Sequence, residues 1–144
     1  MKLAIELVPS TSWYNNLRSL MSKTEWDKVR KETYAKYEHK CGICKKNSHQ
    51  FHCHEIWKYD DHNYKQKLVG FISLCTLCHH VKHIGLAGIL AAKGKLDYEK
   101  VVDHFIEVNK CLRCDFEKHK KQAFVLWKKR SKHKWEVDAG KYSL

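Results

Sequence analysis

The stretch Cys41-Gly42-Ile43-Cys44, followed by Phe51-His52-Cys53-His54-Glu55-Ile56-Trp57 and then Cys75-Thr76-Leu77-Cys78-His79-His80-Val81-Lys82-His83, decides how the chain is read. It holds two C-x-x-C pairs around a histidine-rich segment. Each pair wraps a tight turn that aims two sulfurs at one point, and two pairs supply the four thiolates that tetrahedral Zn²⁺ takes in structural sites. A lone pair fits chance or redox chemistry; two pairs flanking histidines fit metal. We therefore expect Cys41, Cys44, Cys75 and Cys78 to hold one structural Zn²⁺, without which so short and polar a segment has no core of its own.

Between the pairs the pattern is strand, loop, strand, helix. Gln50 to Trp57 and Leu68 to Leu74 are β-like, Lys58 to Gln66 is a polar loop, and Thr76 to His83 is helical. His79 and His83 are four residues apart, hence on one helix face, where two imidazoles can grip one cation.

In this order and spacing, C-x-x-C, a strand with an adjacent pair that contains His, and Leu-Cys-x-x-Cys-His-x-x-x-His resemble the zinc-stabilised HNH (His-Me finger, ββα-metal) endonucleases over about residues 38–85. The resemblance implies an α+β fold: a small ββα-metal finger flanked by N-terminal and C-terminal helices. It implies hydrolysis of phosphodiester bonds in double-stranded DNA with a catalytic divalent cation, Mg²⁺, Mn²⁺ or Zn²⁺. In that family a strand His is the general base, while its neighbour and helix residues hold the cation against the scissile phosphate.

Carried over, His79 and His83 are the helix ligands, and the strand pair has two registers. If Cys53-His54 is the pair, His54 is the base and Cys53 a ligand that biases the site towards a soft metal. If His54-Glu55 is the pair, His54 joins His79 and His83 as a ligand and Glu55 is the base. An imidazole has the better-matched pKa, which favours His54 as base. Gly70 stands where the family usually has the Asn that orients the base, which leaves a non-catalytic zinc-stabilised nucleic-acid-binding module as the alternative function.

Outside this stretch, 144 residues with 43% hydrophobic content fit a single domain, residues 1–144. Twenty-eight Lys/Arg against 16 Asp/Glu give a charge of +12, which favours a polyanionic partner such as nucleic acid. Glu6 interrupts a very short apolar N-terminus and no membrane span follows, so a cytoplasmic protein is expected. Leu3, Ile5 and Leu7 alternate up to Pro9, which predicts an opening strand. Ser22-x-x-Glu25 is a capping box ahead of a helix over 24–38.

From 86 to 144 a helical, basic tail is expected, with helices over Leu86 to Ala92, after an Asp97 cap, and about 115–130. Between Asp115 and Lys134 eight Lys/Arg face two acids, half of the charge surplus, with Trp127 and Trp135 interleaved. Lys118, Lys120, Lys121, Lys128, Lys129 and Arg130 are the candidate nucleic-acid contacts. Cys111-x-x-Cys114 with His119 reads more simply as two half-buried small residues than as a second zinc site. His52 is expected on the strand face opposite Cys53, and His49, His62 and His80 have no partner spacing that assigns them a role.

Overall fold

A computed structural model describes residues 1–15 and 17–142. After a 3-10 turn, Ser10–Asn15, comes a short helix α1, Leu17–Leu20, and then α2, Lys23–Lys36. Ser22 caps α2 as the sequence predicts: its Oγ accepts from Glu25 N at 3.1 Å, and Val29 and Thr33 are buried.

Strands β1, Phe51–Asp60, and β2, Lys65–Cys75, form an antiparallel hairpin that passes without a break into α3, Thr76–Lys82. The expected loop over Lys58 to Gln66 is thus mostly strand. The lysines there are the outward half of an alternating pattern, Lys65 and Lys67 exposed and Gln66 buried between them. The turn itself needs only the residues between Asp60 and Lys65, where the Asp60 carboxylate accepts from the backbone N–H groups of His62 and Asn63. Register shifts between Ile56 and Trp57, so that Ile56 pairs with Gly70 and Trp57 with Leu68; Val69 is the bulged residue.

Helices α4, Ile84–Ala92, α5, Tyr98–Asn109, and α6, Arg113–Arg130, follow, and β3, Glu136–Asp138, adds to β2 in parallel. Asp97 caps α5 through Glu99 N at 3.1 Å. No periodicity announces β3, which is three residues long.

The opening strand does not form. Leu3 and Ile5 are buried as its alternation requires, but their backbone bonds to side chains. Asn109 accepts from Leu3 N at 2.9 Å and donates to Leu3 O at 2.8 Å, and His119 Nε2 accepts from Ile5 N at 2.9 Å. The segment is a strap laid over α5 and α6, extended without a sheet because helix side chains satisfy its polar groups. It is continued by the Trp127 indole N–H donating to Val8 O and by Lys82 Nζ paired with Glu6 at 3.0 Å.

Two apolar clusters lie on opposite faces of the hairpin. One joins Leu3, Ile5, Ile43, Leu74, Val81, Ile84, Val101, Val102, Phe105 and Phe116; the other joins Leu17, Met21, Val29, Cys53 and Ala139 with Trp26 and Phe71. Strand alternation sorts the residues between them. His52 and His54 face the α3 side, Cys53 and Phe71 the α2 side.

Candidate metal centres

The first C-x-x-C pair follows α2 and its turn is closed by backbone bonds from Lys45 N to Cys41 O and from Cys41 N to Lys46 O. Gly42 N donates to Ser73 O at 2.7 Å, pinning this turn to β2. The second pair spans the junction of β2 and α3. Cys75 is the N-cap of α3, its Sγ accepting the Cys78 N–H at 3.4 Å.

All four sulfurs lie within 4.8 Å of one another. Cys44 Sγ and Cys75 Sγ are 3.7 Å apart, too far for a disulfide; a tetrahedral site with Zn–S of about 2.3 Å has sulfur–sulfur edges of about 3.8 Å. Hydrogen bonds from Cys75 and Cys78 hold the Cys41 thiol far below its usual range, while the same cluster pushes Cys75 up to about 12 and Cys78 higher still. So close a set of sulfurs resists carrying several negative charges unless a cation joins it. The donor chemistry and the spacing fit zinc.

The second cluster lies between β1 and α3. His54 reaches from β1, His79 from α3 and His83 from the residue that closes α3, so that one donor nitrogen of each lies within 4.8 Å of the others. Ring centroids are 5.6 Å apart for His54–His79, 5.0 Å for His54–His83 and 4.7 Å for His79–His83, each pair edge to face. Burial is the main cause that lowers all three pKa values, with neighbouring imidazoles and Lys82 adding to it. His54 falls to about 3 and His79 to about 2. At neutral pH the three rings are uncharged and each keeps a lone pair to offer a cation.

Cys53 does not join this group. It is 7% exposed and packs in the apolar cluster under α2, because odd positions of β1 face away from α3. Glu55 shares that parity and pairs with Phe71. Gly70 lies beside the bulge and nothing stands within 4 Å of where its Cβ would be; no side chain there orients an imidazole.

One residue of the site escaped the sequence reading. His52 stacks on His79, centroids 4.4 Å apart and planes 14° from parallel, and its Nε2 is 3.3 Å from Thr76 Oγ1. The signal was present in the strand period, which puts His52 and His54 on the same face. His49 and His62 are exposed. His119 serves the strap through Ile5 and stacks on Phe105, while Cys114 is exposed and Cys111 half-buried. His119 is therefore engaged away from a second zinc site.

The basic tail divides in two. Lys118, Lys121, Lys128 and Lys129 are exposed along one side of α6. Lys120 is half-buried with its Nζ over the Tyr98 ring, and Arg130 is held by Asp61 at 2.7 and 2.9 Å and lies over the Tyr59 ring. The two tryptophans interleaved with these charges bind within the protein. Trp135 is 3% exposed with its N–H donated to Arg130 O, and Trp127 binds the strap. Both indoles are drawn in by apolar neighbours and a backbone acceptor.

Among the described residues no helix is long and apolar enough to cross a membrane. Comparison with protein-family models, with curated proteins and with solved structures gives no match to this chain.

Proposed function

We propose that the protein is a metal-dependent endonuclease of the HNH type, whose ββα unit is β1, β2 and α3 and whose target is a phosphodiester bond in DNA. One observation carries the reading: His54, His79 and His83 bring three neutral imidazoles to one point beside a four-cysteine centre. Such a set leaves part of a cation's coordination open, as catalytic sites require and closed structural sites do not. The bound cation would neutralise charge on the phosphate and make water a better nucleophile near neutral pH.

The chain's own residues then have distinct tasks. His54, His79 and His83 hold the cation, and His52 braces the His79 ring. An imidazole that ligates through one nitrogen carries a proton on the other and has no lone pair left to act as base. Glu55 shares the face of Cys53 and points away from this cluster, so the proton of the attacking water would pass to solvent, its loss eased by the cation. The exposed lysines of α6 supply sequence-independent attraction to the phosphate backbone. Cys41, Cys44, Cys75 and Cys78 hold zinc and set where α3 leaves β2, and so where His79 and His83 stand.

The test is incubation of the zinc-loaded protein with plasmid DNA and with RNA, adding Mg²⁺, Mn²⁺ or Zn²⁺ in turn or a chelator. Cation-dependent cleavage of DNA is the expected result. Binding without cleavage under every cation, the outcome that Gly70 in place of an orienting Asn would favour, makes the protein a zinc-stabilised binding module.

A further inference from the structure

His104 belongs to α5, well outside the segment that carries the metal ligands, and is 5% exposed. Its Nε2 stands 3.1 Å from Cys78 Sγ. A nitrogen and a sulfur that both ligated one zinc, at about 2.1 and 2.3 Å with tetrahedral angles, would be about 3.6 Å apart. The shorter separation is that of a hydrogen bond, and the four sulfurs already make a complete tetrahedral set. Val101, Val102 and Phe105 on the same helix are fully buried, which fixes the rotation of α5 and keeps His104 against α3.

Four thiolates around Zn²⁺ leave the centre with two net negative charges, in surroundings where Cys41 and Cys78 are fully buried. Donors aimed at the sulfurs offset that charge, and such outer partners tune a metal centre nearly as strongly as its ligands do. Cys75 Sγ has one donor in the Cys78 N–H. Cys78 Sγ has the His104 ring.

We propose that His104 is a positioning residue of the four-cysteine centre: its Nε2–H donates to the Cys78 thiolate, draws charge from that sulfur and ties α5 to the metal-binding turn. The bond makes Cys78 a weaker nucleophile and a slower leaving ligand, and couples metal binding in the finger to the docking of the helical half of the chain. It stands whether or not the protein cleaves nucleic acid.

The experiment uses the full chain loaded with zinc, and a second sample loaded with Co²⁺ as a spectroscopic substitute. In the zinc form, long-range ¹H–¹⁵N correlation should find His104 protonated at Nε2 and bare at Nδ1. His104→Leu should move the sulfur-to-cobalt charge-transfer band to longer wavelength and speed zinc transfer to a chelator by about ten- to a hundredfold. His104→Gln, which keeps an N–H donor at similar reach, should recover most of both. A ring protonated at Nδ1 instead, or a leucine variant equal to wild type in band position and release rate, overturns the proposal. Should the leucine variant fail to fold, the tautomer in the wild-type protein decides alone.

Discussion

At Gly42 there is no room for a side chain: a Cβ would stand 2.6 Å from Ile72 Cγ1 and 2.9 Å from Tyr37 Cε1. The first cysteine pair is seated that closely on β2, and the Gly42 N–H to Ser73 O bond depends on it. Gly42→Ala should cost about 1–3 kcal/mol by overpacking, read as a lower melting temperature of the zinc-loaded protein; an unchanged melt would mean that the turn is free to shift. Glu55 calls for a different readout. Glu55→Gln, on the face of β1 turned away from the three histidines, should leave cleavage and cation affinity close to wild type. A loss of about a hundredfold, the usual loss with a general base, would mean that Glu55 reaches the site. Single residues are also where the sequence was least legible. Nothing in its own neighbourhood distinguishes His104 from any histidine on an amphipathic helix, because its partner Cys78 is brought to it only by the packing of α5 on α3.

Elements were legible where their determinants are local. Ser22 and Glu25 cap α2, and Asp97 caps α5, through contacts within a few residues, so both helices begin within a residue of where the sequence puts them. Leu3 and Ile5 showed their burial but not its kind, since the groups that replace a sheet partner, Asn109 and His119, come from helices far along the chain. That strap has a pH signature. His119 accepts the Ile5 N–H through a bare Nε2, and burial, Lys82 and the N-terminal charge lower its pKa below 6.5. The unfolded chain therefore takes up a proton at His119 sooner than the native one. The contribution is full above pH 6.5 and is lost as pH falls from there towards the lowered native value. His119→Gln, which can accept the same bond without titrating, should flatten the stability profile between pH 7 and 5 relative to wild type; parallel profiles would contradict this role.

On α6 the exposed lysines and the anchored arginine should separate in experiment. Replacing Lys118, Lys121, Lys128 and Lys129 should reduce the slope of log affinity for duplex DNA against log salt by about 0.9 for each phosphate that is no longer neutralised. Arg130→Ala should instead lower stability, since its guanidinium is spent on Asp61 and Tyr59. An unchanged salt slope in the lysine variant would leave α6 as a solvated face.

Across the whole molecule, the four-cysteine centre joins the end of β2, the start of α3 and, through His104, α5, so metal and fold should be one transition. Chelation strong enough to remove zinc should abolish cooperative melting, and Cys75→Ala should do the same; a cooperative melt after zinc is gone would show that the two apolar clusters suffice alone. The cysteine and histidine clusters and the strand, strand, helix order were readable because they lie in one continuous stretch, 41–83. That Cys53 and Glu55 both turn away from His79 and His83 was not, since it depends on which strand face meets α3, and that is fixed by packing against α2 on the other side. The most direct measurement is single-turnover plasmid cleavage against divalent-cation concentration, for zinc-loaded wild type and for His54→Ala, His79→Ala and His83→Ala with zinc content and fold verified. Loss of cleavage in all three, with any residual activity needing more cation, is the predicted result. Cation-dependent cleavage that survives in any one of them at the wild-type rate and cation requirement would contradict a three-histidine catalytic centre.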